Sequence, residues 1–315
     1  MTVAPQVAVT SLDAGDGAQI EVLTVTGDRP GPTVSVLGGV HGDELEGIAA
    51  ARVLARRAAE SLVAGRLRVV AVANPLAFAA RSRLTPLDGS NLARCFPGRP
   101  DGTVTERVAD GLTATVIAGS DLVIDLHSAG AAYSMPLFVG CLGGEDDLAK
   151  RSIEAATTFG APLGWLHESI GPGRSTSAAL ALGIPVIYAE GGGGAALVRD
   201  EVICYVEGVE RVLSALGHLS TPPTEPGPTA WLLGGDGDVD ASTSASSDGW
   251  CMTAVRAGDQ VSAGDLVAEL IDGDGEVVER IVAPRSATVM MLRRRAEVVA
   301  GDGIVMYGPP STGRG

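Results

Sequence analysis

Two histidines and a glutamate have the types and spacing of a zinc site. In His41-Gly42-Asp43-Glu44 an imidazole and a carboxylate stand three residues apart, after the apolar run Thr33 to Leu37 and the glycines Gly38 and Gly39. Both side chains are good zinc ligands, and a hydrolytic zinc needs three protein ligands plus an open position for water. Ile124-Asp125-Leu126-His127-Ser128 offers the third ligand at the end of another apolar run. On its own, His-x-x-Glu more often marks a helix N-terminus with a surface acid and a satisfied histidine. The flanking glycines and His127 favour the metal. The chain has four histidines (His41, His127, His167 and His218), and two of them end predicted strands. His167 and His218 read as ordinary surface or loop residues.

The elements that must position these groups alternate. Strands are predicted at Ile20–Thr26, Thr33–Leu37, Leu67–Val72, Asp121–Leu126, Met135–Cys141 and Ile184–Glu190. Helices are predicted from about Glu44, from the capping box Thr103-Val104-Thr105-Glu106 to about Ala118, and over Glu145–Phe159, Ser175–Leu182 and Val198–Leu216. Asn74-Pro75 reads as a turn. The pattern predicts an α/β fold: a mixed sheet with helices on both faces, whose strand ends deliver His41, Glu44 and His127 into loops. Prolines at Thr221–Pro228 mark a linker. Short strands and Gly-Asp turns follow, the signature of a small all-β barrel or sandwich domain. The expected domains are 1–220, catalytic, and 229–315, β. Asp236, Asp238 and Asp240 mimic the start of a calcium loop, but Ala241 and Ser247 break it, so they read as a polar turn.

Composition narrows the function. At 315 residues with net charge −15, nucleic acid and anionic membranes are poor partners. The first residues show no signal peptide, no apolar run reaches a membrane span, and the four cysteines form no Cys-x-x-Cys pair. A reducing cytoplasm is expected. Lys150 is the single lysine, so there is no P-loop, and no Gly-x-Ser-x-Gly elbow occurs.

With these residues in hand, the chain resembles the succinylglutamate desuccinylase/aspartoacylase family of zinc-carboxypeptidase-like proteins over about residues 20–215. The motifs carrying the likeness are Gly-Gly-Val-His-Gly-Asp-Glu, Asn74-Pro75 with a downstream arginine, Asn91-Leu92-Ala93-Arg94-Cys95-Phe96-Pro97-Gly98, Asp125-Leu126-His127-Ser128 and Ile184-Pro185 through Glu190-Gly191-Gly192. Within the family, the Phe-Pro-Gly, His-Ser and Glu-Gly-Gly-Gly-Gly segments look most like ectoine-degradation-type N-acetyl-diaminobutyrate deacetylases. The resemblance implies His41, Glu44 and His127 as ligands of one zinc ion per chain and Glu190 as the catalytic carboxylate. It implies Arg83, ahead of Arg81, as the residue polarising the scissile carbonyl, and Arg94 and Arg174 as anchors of a substrate carboxylate. The family's Asn-Arg pair falls on Ala93-Arg94, so the missing amide falls to Asn91 or the substrate differs. The C-terminal part resembles a biotinyl/lipoyl barrel without the carrier lysine, and in this family such a module is expected beside the active-site mouth.

The reading is a zinc-dependent amidohydrolase that removes an acyl group from a small N-acylated amino acid or related amine. Glu190 would serve as general base and acid, and Arg83 as oxyanion donor. A zinc carboxypeptidase, an esterase or amidase acting on a substrate without a carboxylate, and a catalytically silent zinc-binding protein are the rivals. Arg83 and Arg94 also fit loop-bracing salt bridges, Glu190 fits a plain strand end, and Asp125 fits either a histidine-orienting or a helix-bracing role. The partner is a small molecule, with a homo-oligomer left open.

Overall fold

The computed structural model describes residues 4–221, 225–226 and 230–311. Its strands are β1 (Gln6–Asp13), β2 (Gln19–Thr26), β3 (Arg29–Gly38), β4 (Ala64–Val70), β5 (Leu122–Leu126), β6 (Tyr133–Leu142), β7 (Leu163–His167) and β8 (Val186–Gly193). The helices among them are α1 (Leu45–Ser61), α2 (Pro75–Ala80), α3 (Val104–Leu112), α4 (Asp147–Phe159), α5 (Ser175–Ala181) and α6 (Arg199–Ala215). Strands β4, β3, β5 and β8 lie side by side and parallel, with antiparallel β2 and β1 beyond β4 and antiparallel β6 beyond β8.

Alternation along the parallel strands gives each face its own core. Val34, Val36, Ile124, Leu126, Ile187 and Ala189 pack against α1, α4 and α6. Leu37, Val123 and Val186 pack on the other side, against α3 and α5. Helices therefore cover both faces, as expected.

Some elements differ from the sequence reading. Asn74-Pro75 starts a helix: proline occupies its first turn, where no N–H is needed, and the Asn74 side chain accepts from the Ala77 N–H. The helix opening at the Thr103 capping box is α-helical only to Leu112, and Thr113–Ile117 widens into a π turn. The glycines after Glu190 do not end the strand, because Gly192 and Gly193 still pair with Met135 and Ser134. His167 and His218 are buried, not superficial; the His218 Nε2 meets the carbonyl of Pro32.

The C-terminal strands are β9 (Ala230–Leu233), β10 (Thr243–Ser244), β11 (Gly249–Thr253), β12 (Gln260–Val261), β13 (Leu266–Ile271), β14 (Val277–Val282), β15 (Ala287–Arg293), β16 (Glu297–Val298) and β17 (Gly303–Gly308). Strands β14, β13, β11 and β16 form a four-stranded antiparallel sheet, which closes over a core including Val267, Leu270, Val289 and Val305. Its other layer joins the large sheet: β15 pairs with β6 through Leu292–Ser134 and Arg293–Tyr133, and β9 adds in parallel to β7. Ala129, Phe138, Trp165, Leu232, Met290, Met291 and Met306 fill the seam. The linker expected at Thr221–Pro228 falls largely outside the described residues. Among the described residues, no helix is long and apolar enough to cross a membrane.

Candidate active site

The register of the parallel strands assembles the site. Leu37 of β3 pairs with Asp125 of β5, which pairs with Tyr188 of β8, so the carboxyl ends of three strands lie level. His41 and Glu44 follow β3, His127 follows β5, and Glu190 lies two residues beyond Tyr188 on the same face of β8. The main-chain N–H of His127 donates to the carbonyl of Ala189. The loop carrying His41 passes so close to α2 that a Cβ on Gly42 would run into the Ala77 backbone.

His41, Glu44 and His127 present ligand atoms all within 4.8 Å of one another. Glu44 bridges the pair, with Oε1 2.7 Å from His41 Nδ1 and Oε2 2.9 Å from His127 Nδ1. The opposite ring nitrogens are held from behind. Asn91 Oδ1 accepts from both His41 Nε2 and the Ala93 N–H, each at 2.9 Å, which assigns the proton to His41 Nε2. His127 Nε2 lies 3.0 Å from Asp125 Oδ2, which also accepts from the Ser175 hydroxyl. Asp125 thus does both things weighed for it, orienting His127 and bracing the start of α5. Both imidazoles are set to turn Nδ1 toward Glu44.

The chemistry of this donor set fits a divalent cation. Burial, the strongest influence on Glu44, favours its neutral form, yet the adjoining His41 and His127 outweigh it and hold the carboxyl well below its usual range. Burial likewise opposes charge on His127, but Asp125 and Glu44 together keep it well above the ordinary histidine range. For His41 burial prevails and lowers the pKa. Two inward-facing nitrogens beside a buried, ionised carboxylate form a donor set that a metal ion satisfies.

Glu190 is the contrasting carboxylate. Its Oε2 is buried and has no hydrogen-bond partner among the described residues. Burial first, then the charge of Glu44, pushes its pKa well above the usual range. A carboxyl group raised in this way can accept and return a proton near neutral pH. Arg83, and not the exposed Arg81, reaches the cluster; its Nη1 donates to Glu44 Oε1 at 2.9 Å.

A cavity of about 80 Å³ is lined by His41, Arg83, Arg94, His127, Arg174 and Glu190, with Asp236, Gly237 and Val239 from the C-terminal part beside them. Both expected anchoring arginines are engaged there. Asp238 Oδ1 accepts from Arg94 Nη2 at 3.2 Å and Arg174 Nη2 at 3.0 Å, and Asp240 Oδ2 accepts from Arg94 Nη2 at 2.7 Å. Asn91 is not among the lining residues, since its side chain is spent on His41 and the Ala93 amide. Asp238 and Asp240, read from sequence only as a turn, carried no local signal of this role. Tyr188 also lines the cavity, and its two-residue offset from Glu190 was a usable signal.

This fold and site define an amide hydrolase of the deacylase type, with a His–Glu–His group that could hold a metal ion. The succinylglutamate desuccinylase/aspartoacylase catalytic-domain model matches residues 30–216, and the chain belongs to that family. It is 32% identical over 297 residues to an N-alpha-acetyl-L-2,4-diaminobutyric acid deacetylase of Halomonas elongata, covering 92% of this chain and 86% of that relative. Among solved structures, a succinylglutamate desuccinylase from a Silicibacter species superposes with a TM-score of 0.86 at 29% identity, covering 97% of this chain and 93% of that one. The product-bound ectoine utilization protein EutE of Ruegeria pomeroyi gives 0.84 at 29% identity, covering 96% and 93%.

Proposed function

We propose that the chain is a zinc-dependent amidohydrolase that removes a small acyl group, acetyl foremost, from an N-acylated amino acid of the diaminobutyrate kind. The observation that carries this reading is the His41–Glu44–His127 cluster facing Glu190, whose carboxyl is raised well above its usual range and whose Oε2 has no hydrogen-bond partner among the described residues. The acetyl-diaminobutyrate substrate of the Halomonas elongata relative supports the choice of acyl group and amine.

His41, Glu44 and His127 would hold the zinc, oriented by Asn91 and Asp125. When bound, zinc supplies Lewis acidity and makes water acidic enough to lose a proton near neutral pH. Glu190 takes that proton on its free Oε2 and hands it to the departing amine nitrogen. Arg83 donates to the acyl oxygen as negative charge gathers there. Arg94 and Arg174 hold the substrate carboxylate once it competes with Asp238 and Asp240. We assign catalysis to residues 1–220 and closure of the mouth to the β-domain, 229–315, and place the enzyme in the cytoplasm.

A second reading, an amidase for substrates lacking a carboxylate, is favoured by Ala93 and by the aspartates already on both arginines. Elemental analysis of wild type beside His127→Ala, with a panel of N-acetyl, N-succinyl and N-formyl amino acids, tests the main reading. About one zinc per chain, lost in the variant, with turnover of an acetylated member is expected. A wild type that takes up no zinc overturns it.

A further inference from the structure

A second cavity opens beside Glu190 and Arg83. It shares those two side chains and Val239 with the first, so the two chambers meet at the groups that would act on the amide. Beyond that junction their walls differ. The first chamber carries both mouth arginines, Arg94 and Arg174. The second is walled by Ala129, Met135 and Met291, all buried members of the apolar seam. Met291 comes from β15 of the C-terminal part, and the pairing of Leu292 with Ser134 sets it beside Met135 of β6.

The polar groups of this second chamber narrow what it can hold. Ser128 lines it and is 1% exposed, yet its Oγ has no hydrogen-bond partner among the described residues. Buried hydroxyls are seldom left unpaired, so this one is free for whatever enters. Arg83 is the one cation among the lining residues, and it already donates to Glu44 Oε1 at 2.9 Å. Asp240, on the same wall, adds negative charge. The chamber therefore has room for an apolar chain and nothing with which to pair a second anion.

The two halves of an N-acyl amino acid lie on opposite sides of the scissile bond. With the carboxylate on Arg94 and Arg174, the acyl chain points into the other chamber. We propose that this second chamber is the acyl site, that Met135 and Met291 limit the chain it takes, and that it admits uncharged acyl groups and turns away succinyl. A succinyl carboxylate would meet thioethers and acids there, and burying a charge without a partner is strongly unfavourable. The C-terminal part, through Met291, then helps to choose the acyl group. The inference rests on the deacylase reading above and extends it to acyl specificity.

The test is steady-state kinetics on zinc-loaded full-length protein. The probes are the N-alpha-acetyl, N-alpha-butanoyl and N-alpha-succinyl derivatives of diaminobutyrate, and the uncharged amide isostere of the succinyl compound. Wild type is expected to show a kcat/KM on the isostere at least about tenfold above that on the succinyl compound. Met291→Ala is expected to raise the butanoyl-to-acetyl ratio of kcat/KM about tenfold or more, the scale on which an apolar pocket tells methylenes apart. Its ratio between N-alpha-acetyl-ornithine and N-alpha-acetyl-diaminobutyrate, which differ on the amine side, stays within about twofold of the wild-type ratio. The succinyl comparison uses wild type alone, so it stands even where truncating a buried methionine unfolds the variant, which thermal unfolding reports. Equal kcat/KM on the succinyl pair, an unchanged butanoyl-to-acetyl ratio in folded Met291→Ala, or a change confined to the ornithine ratio overturns the acyl assignment. Wild type inert on every probe overturns the deacylase reading itself, and this inference with it.

Discussion

The His41–Glu44–His127 cluster and the Arg94–Arg174 pair face the same cavity, but they are held in different ways. Each histidine of the cluster is fixed from behind, by Asn91 or Asp125, and Glu44 is almost fully buried. The arginines are about a quarter exposed and are tied to Asp238 and Asp240, more than sixty residues away along the chain. Charges in the first group interact in a poorly screened interior, while those in the second are partly screened by solvent. The cluster is therefore built to keep its geometry, and the mouth to exchange partners. Mutations in the two regions should separate chemistry from binding.

The sharpest test of that separation is Glu190→Gln. Loss of the proposed proton carrier is expected to lower kcat roughly a hundred- to ten-thousandfold with zinc content unchanged, measured by steady-state kinetics and elemental analysis together. A comparable fall from an arginine-pairing aspartate would erase the distinction.

A smaller effect concerns His167, which lies under the Asp236–Asp240 loop where the two regions join. Its folded pKa of about 4 lies below the ordinary 6.5, so between those values the unfolded chain binds more protons. Its contribution to stability is complete above about pH 6.5 and is lost as pH falls toward about 4, a total of about 3 kcal/mol. Denaturant unfolding across that range is expected to show a steeper decline in wild type than in His167→Leu. Equal slopes would mean that the site tolerates the imidazolium.

The least change is expected from Asp238→Asn. Partly exposed ion pairs are worth about 0–1 kcal/mol, so freeing Arg174, while Arg94 keeps Asp240, lowers KM for a carboxylate-bearing substrate by at most about fivefold at unchanged kcat. A rise in KM would show that the loop's position matters more than its competition with substrate.

Residues in the cluster were legible in sequence because ligand chemistry restricts the residue types and strand ends restrict their places. His41, Glu44 and His127 could be named on that basis, while Glu190 and Arg83 came from the family resemblance; the structure brings all five together. Asp125 was legible through its two-residue offset from His127. The mouth was not, because an ion pair between Arg94 and Asp238 leaves no periodicity in either segment. Burial of His167 depends on β9 and the loop after it closing over β7, another long-range event. The helix at Pro75 was a different kind of miss: Asn at the cap and Pro in the first turn were visible, but were read as a turn. Strand β1 went unread because nearly every side chain in it is exposed, leaving little apolar contrast to detect.

The outer edge of β6 is divided, with β7 along its later residues and β15 along Tyr133 and Ser134. That division bears on how the protein is made. A ribosome releases β6 long before β15, by an interval on the order of ten seconds at ordinary rates of synthesis. Throughout that interval part of the edge carries unpaired amide and carbonyl groups, open to any other extended chain nearby. Newborn copies are thus open to clumping until β15 emerges, and a truncation that removes β15 would make that passing exposure permanent.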